Sequence, residues 1–167
     1  INWVYSPMVD VNNDPRWGRA SEGAGEDPYL AGEMGAAMIR GYQGDWGERN
    51  VMACMKHYAL YGASESGRDY NMVDMSHVRM YNQYFASYKR CVEEGAGSVM
   101  TSFNLVDGIP ATGNKWLVDD VLRKEWGFGG FVVTDYGSIG EMQVHGVGDP
   151  QSNSDQALKA GTDMDMC

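Results

Sequence analysis

A carboxylate, Asp135, closes the apolar run Phe131-Val132-Val133-Thr134, and a lysine–histidine pair, Lys56-His57, lies at the end of another, Val51–Tyr58. Asp10 and Asn104 stand at the ends of two more, Trp3–Val11 and Ser98–Phe103. A carboxylate at the C-terminal edge of a buried strand can act as nucleophile, base or metal ligand. It can equally cap the short helix that follows, and spacing alone leaves both roles open for Asp135. Neighbours on a regular strand face opposite ways, so Lys56 and His57 reach one pocket only through an irregular backbone, a bulge or a non-proline cis peptide. The plainer alternative is a buried His satisfied by backbone beside a snorkelling Lys. Arg19 in Trp17-Gly18-Arg19-Ala20-Ser21-Glu22 and Arg68 in Gly67-Arg68-Asp69-Tyr70-Asn71 offer planar forks to hydroxyls or carboxylates. Each can instead tie its own loop together through the neighbouring acidic residue.

The elements that must position these groups are short apolar runs alternating with helical patterns. Trp3–Val11, Val51–Tyr58, Ser98–Phe103, Phe131–Thr134 and, weakly, Asp163–Met166 suit strands buried on both faces. Asp27-Pro28 predicts a helix from N-cap and N1 proline up to Gly41 or Gly44. Ser76 predicts a second, with the stripe Val78, Tyr81, Phe85, Tyr88 and Val92 and Gly95 as its stop; its aromatic residues read as core. A third carries Leu117, Val121 and Leu122 into Trp126-Gly127, and a fourth runs from about Ser154 to Gly161. Strand, loop, helix, strand in this order calls for α/β architecture with a parallel sheet, and periodicity does not choose between a barrel and a doubly wound sheet.

With 167 residues, 43% of them apolar, the chain can bury a core, and a formal charge of −10 argues against nucleic acid or an anionic membrane as partner. No apolar run approaches the roughly 18 residues of a membrane span. Three widely spaced cysteines, Cys54, Cys91 and Cys167, give neither a disulfide framework nor a zinc pattern. Glu22-Gly23-Ala24-Gly25 lacks the Lys and Ser/Thr of a phosphate loop, and no GxSxG elbow is present. Nothing calls for a cofactor or a metal. The start at Ile1, without an initiator Met, reads as an internal fragment.

Taken together, the segments resemble glycoside hydrolase family 3, closest to the bacterial periplasmic β-glucosidase type. The resemblance runs through Ser6-Pro7-Met8-Val9-Asp10, Asp14-Pro15-Arg16-Trp17-Gly18-Arg19, Gly25-Glu26-Asp27-Pro28-Tyr29-Leu30, Lys56-His57-Tyr58 and Gly67-Arg68-Asp69-Tyr70-Asn71. It continues through Ser98–Asn104, Gly108–Thr112, Trp126-Gly127-Phe128, Gly130–Tyr136 and Ala160–Met166, in family order along essentially the whole chain. It implies a retaining, exo-acting β-glycosidase that hydrolyses terminal non-reducing β-D-glucosyl residues, located in the periplasm or secreted. The fold implied is a partial (β/α)8 TIM-type barrel, about five strand–helix units of a domain that needs eight. Residues 1–167 would be part of the N-terminal catalytic domain, with the second domain absent.

The resemblance makes Asp135 the nucleophile and gives Arg19, Lys56, His57 and Arg68 the hydroxyls of the sugar in subsite −1. Tyr136 offers an apolar face to a sugar ring. The acid/base Glu and an upstream substrate Asp lie outside the chain, so the fragment alone is expected to be inactive. Its partners would be an oligosaccharide or an aryl or alkyl β-glycoside, and the remainder of its own polypeptide. Two departures are informative. Phe103 stands where many members place a Tyr whose hydroxyl can bond the nucleophile. Gly62-Ala63-Ser64-Glu65-Ser66 replaces the Gly-His-Gly loop of the N-acetylglucosaminidase branch. The alternatives are a β-xylosidase of the same family, a non-catalytic sugar-binding homologue, and an unrelated barrel metalloenzyme using Asp135 and His57.

Overall fold

The computed structural model describes residues 1–167. In chain order the strands are β1 (Trp3–Val4), β2 (Met52–Tyr58), β3 (Ser98–Thr101), β4 (Leu105–Val106), β5 (Ile109–Pro110) and β6 (Phe131–Val133). The helices are α1 (Pro28–Gln43), α2 (His77–Arg79), α3 (Phe85–Glu93), α4 (Ser138–Glu141) and α5 (Pro150–Ala160). Met80–Tyr84 joins α2 to α3 as a π-helical stretch, and Trp116–Glu125 is π-helical too.

Four strands form one sheet in the order β1-β2-β3-β6, each pair parallel. All of β3 and most of β2 are buried, which is why their sequences are nearly continuous apolar runs rather than alternating ones. β4 and β5 make a small antiparallel hairpin off the end of β3. Beyond β6, Met164 pairs in parallel with Val133, and the Thr134 N–H donates to the Met164 carbonyl at 2.9 Å. The weak C-terminal run therefore reaches the sheet as a single pair. No helix is long and apolar enough to cross a membrane.

Local chemistry sets the helix ends. Asp27 accepts from the backbone N–H groups of Tyr29 and Leu30, and Pro28 fills the first helical position. α1 packs on α3 through glycines: a Cβ at Gly35 would lie 2.5 Å from Val9 Cγ1 and 2.7 Å from Cys91 Sγ. Behind the sheet, Ile39, Met55, Tyr58, Phe85, Val99 and Leu122 belong to one buried core.

Three expectations need correction. α5 starts at Pro150, capped by Asp149, four residues before Ser154, because an Asp-Pro start outranks the apolar stripe as a helix signal. Trp3–Val11 is a strand only over Trp3–Val4; the cis Ser6–Pro7 peptide interrupts it, and Met8 rejoins the sheet by pairing with Lys56. The third helix has i→i+5 rather than α-helical bonding.

Candidate active site

Of the polar residues at the strand ends, Asp10, His57 and Asp135 meet where β2 and β6 finish, while Asn104 bonds the Ala59 carbonyl instead. The β2 ladder shifts register between Met55 and Tyr58, and the Lys56–His57 peptide is cis. The backbone is therefore irregular at the lysine–histidine pair. His57 is 1% exposed. Its Nε2 lies 3.6 Å from Asp135 Oδ2. Its backbone N–H donates to Asp10 Oδ2, and its Nδ1 lies against the same oxygen, each at 2.9 Å. Tyr88, rising from α3, donates its hydroxyl to Asp10 Oδ1 at 2.6 Å and lies 2.8 Å from the His57 carbonyl.

Asp135 follows the buried Thr134 at the end of β6. Its Oδ1 accepts from the Tyr136 N–H at 2.7 Å. Its Oδ2 is shielded from solvent and has no hydrogen-bond partner in the protein. Phe103, the position noted for its missing hydroxyl, packs with Trp17 and Tyr61 in a small apolar cluster against which Met8 rests. Tyr70, half-exposed, packs tilted against Phe103 with ring centres 4.5 Å apart.

Arg19 forms a two-pronged pair with Glu22, at 2.7 and 2.9 Å, and its guanidinium lies 5.7 Å from the centre of the Tyr61 ring. The Tyr61 ring in turn lies 5.2 Å from that of His57. Arg19 holds the Glu22 carboxyl below its usual range, with weaker pulls from the charges of Lys56 and His57. Burial pushes the Tyr70 phenol up, and the charges of Asp69 and Asp135 add to it. Burial likewise pushes the Cys54 thiol up to about 12. Asp135 thus presents a shielded carboxylate oxygen with no partner in the protein, which can attack an electrophilic carbon.

His57 thus faces Asp135 directly, and Arg19 is linked to His57 through the Tyr61 ring. Lys56 is half-buried and makes no ion pair. The side chains of Arg68 and Tyr136 are exposed and bond none of the others, although the Tyr136 backbone N–H donates to Asp135. Arg68 does not pair with Asp69, which accepts instead from Trp17 Nε1 at 3.0 Å. Glu22 ends the short turn Ala20–Glu22 as the partner of Arg19, the loop tie that the sequence left open for that arginine. Sequence reasoning placed Asp10 at a strand end without assigning it to the site, and it read Tyr88 as core. The second reading is right for the ring and silent about the hydroxyl.

The sequence matches the glycosyl hydrolase family 3 N terminal domain over residues 1–167. The chain belongs to this family. Among family 3 relatives, the periplasmic β-glucosidase of Salmonella typhimurium is 50% identical over 169 residues, covering 99% of this chain and 22% of the relative. A β-xylosidase of Formosa agariphila is 39% identical over 174 residues, 99% of this chain and 24% of that protein. The crystal structure of a Listeria innocua β-glucosidase superposes with a TM-score of 0.95 at 45% identity, over 98% of this chain and 24% of that one. The same enzyme has been solved in complex with glucose and, as a mutant, with laminaribiose. This family 3 chain therefore spans between a fifth and a quarter of the length of these relatives.

Proposed function

We propose that this chain is part of the N-terminal catalytic barrel domain of a retaining, exo-acting β-glucosidase with Asp135 as its nucleophile. The parallel strands with the Met164 pair would be about five successive units of a (β/α)8 barrel, with further units and a second domain supplied by the rest of the polypeptide. One observation carries the reading: the solvent-shielded, unpartnered Asp135 Oδ2 at the C-terminal end of a buried strand, 3.6 Å from His57 Nε2. That oxygen would attack the anomeric carbon of a terminal β-D-glucosyl residue and form a glycosyl-enzyme, which water then hydrolyses. Arg19, Lys56, His57 and Arg68 would hold the sugar hydroxyls, and Tyr136 would face a sugar ring.

A retaining site needs a second carboxyl about 5–5.5 Å from the first to protonate the leaving oxygen. Within the chain, Asp10, Glu22, Asp69 and Asp163 are committed to His57, Arg19, Trp17 and Arg123 respectively. Their engagement supports an acid/base Glu from elsewhere in the polypeptide. We place the enzyme in the periplasm or outside the cell, following the name of the Salmonella relative. Glucose is preferred over xylose because the 50% and 45% relatives are β-glucosidases and the 39% relative is a β-xylosidase.

Incubating the intact protein with an activated 2-deoxy-2-fluoro-β-glucoside should trap a covalent adduct on the peptide holding Thr134-Asp135-Tyr136. Mass spectrometry that finds the label on another carboxylate overturns the assignment. Faster turnover of an aryl β-xyloside than of the matching β-glucoside would move the reading to a β-xylosidase.

A further inference from the structure

We infer that Asp10, steadied by Tyr88, is a positioning residue that fixes the His57 ring with Nδ1 protonated and Nε2 open toward substrate. This deepens the β-glucosidase reading above and rests on it for its kinetic consequences. Asp10 Oδ2 receives the backbone N–H of His57 and, at the same 2.9 Å, the ring Nδ1. A backbone N–H can only donate, so Oδ2 accepts from it, and with Asp10 as a carboxylate the same oxygen can only accept from the ring as well, so Nδ1 carries the proton. The freedom left to the ring lies at Nε2, which faces Asp135 Oδ2 across 3.6 Å. That distance is too long for a hydrogen bond and leaves Nε2 available to a sugar hydroxyl.

The arrangement is dry and almost without slack. Asp10 and His57 are each 1% exposed, and Tyr88 belongs to the main core. Tyr88 holds the other carboxylate oxygen, so Asp10 cannot rotate about its terminal bond without giving up a buried hydrogen bond. Burial and the neighbouring Asp10 charge keep the Tyr88 hydroxyl protonated, its pKa well above the usual phenol value. Two residues from distant parts of the sequence, Asp10 and Tyr88, thereby set the tautomer and orientation of the His57 ring, as outer partners do for metal-binding histidines.

The same geometry predicts how Asn behaves at position 10. In a simple His–Asp pair an Asn can turn its NH2 toward the ring and impose the other tautomer. Here the His57 backbone N–H forces the amide oxygen to the Oδ2 position, and the NH2 is left to donate to the Tyr88 oxygen. Asp10→Asn should therefore keep most of the wild-type kcat/KM on an aryl β-glucoside, whereas Asp10→Ala should lose roughly 10- to 100-fold. In a His57→Ala background, Asp10→Ala should cost no more than about twofold, because the ring it positions is gone. A purely structural role would give additive losses.

The tautomer has a direct readout. Ring 15N spectra of the histidine-labelled intact protein, with the His57 signal identified by its loss in His57→Gln, should show a protonated Nδ1 in wild type and in Asp10→Asn. A protonated Nε2 with a bare Nδ1, an Asp10→Asn loss equal to that of Asp10→Ala, or an additive cycle would each overturn the inference. If Asp10→Ala does not fold, Asp10→Asn and the ring spectra still decide it. A wild-type protein that leaves aryl β-glucosides untouched would refute the β-glucosidase reading, and the spectra would then decide the Asp10–His57 geometry separately.

Discussion

His57 and Arg68 are assigned to the same sugar, and the protein treats them in opposite ways. His57 is sealed beneath the surface, with Nδ1 and its backbone N–H both given to Asp10 and its carbonyl beside the Tyr88 hydroxyl. Arg68 stands in solvent with no ion pair, two residues from Tyr70, which is 44% exposed, and Tyr136 is 68% exposed. Groups on the floor are ordered before any ligand arrives, so they cost nothing to organise during binding and lose much if one partner is removed. Groups on the rim keep their rotamer freedom and water until a ligand orders them, and each contributes less to the fold.

The sharpest way to test this contrast is at the boundary between the two layers. Asp135→Ala should lower kcat/KM by several orders of magnitude while the melting temperature holds or rises, because its unpartnered Oδ2 contributes no hydrogen bond to the fold. A parallel loss of folded protein would mean that Asp135 is built into the floor. Next comes Tyr88→Phe, which strips the hydroxyl from Asp10 and should cost about 1–3 kcal/mol in urea unfolding. Arg68→Ala should leave stability within about 0.5 kcal/mol and raise KM by about tenfold, the worth of one charged hydrogen bond. If Arg68→Ala destabilises the protein as much as Tyr88→Phe does, the distinction between floor and rim fails.

A separate effect is on alkaline stability. Burial pushes the thiols of Cys54 and Cys91 up to about 12. Unfolded thiols ionise near 8.5, so the unfolded chain releases these protons first and stability should fall as pH rises through that window. Urea midpoints measured at pH 8 and above pH 10 should diverge, and replacing both cysteines with Ala should narrow the gap.

Much of the scaffold was legible because its signals are local. Asp27-Pro28 specified the start of α1, and the apolar runs at Val51–Tyr58, Ser98–Phe103 and Phe131–Thr134 located three strands of the sheet. The same Asp-Pro grammar at Asp149-Pro150 was passed over, since the apolar stripe of α5 is short and starts later. The π-helical stretches were illegible because an i→i+5 pattern leaves no separate period over five or ten residues. At the site, position gave Asp135, Lys56 and His57. It could not give the roles of Asp10 and Tyr88, whose partners lie 47 and 78 residues away in the chain. Periodicity registers that a tyrosine ring is buried; it carries nothing about where the hydroxyl ends.

The shared oxygen of Asp10 has a consequence for how such a site can diversify. Because Oδ2 grips the main chain and the ring of His57 together, the imidazole has no motion of its own: to move it is to move the end of β2. A single substitution on the floor therefore perturbs backbone and chemistry at once and offers few viable neighbours in sequence space. The loops bearing Arg68 and Tyr136 have no such coupling. New substrate preferences are accordingly cheapest to acquire there, one exposed side chain at a time, around a ring that stays where the backbone holds it.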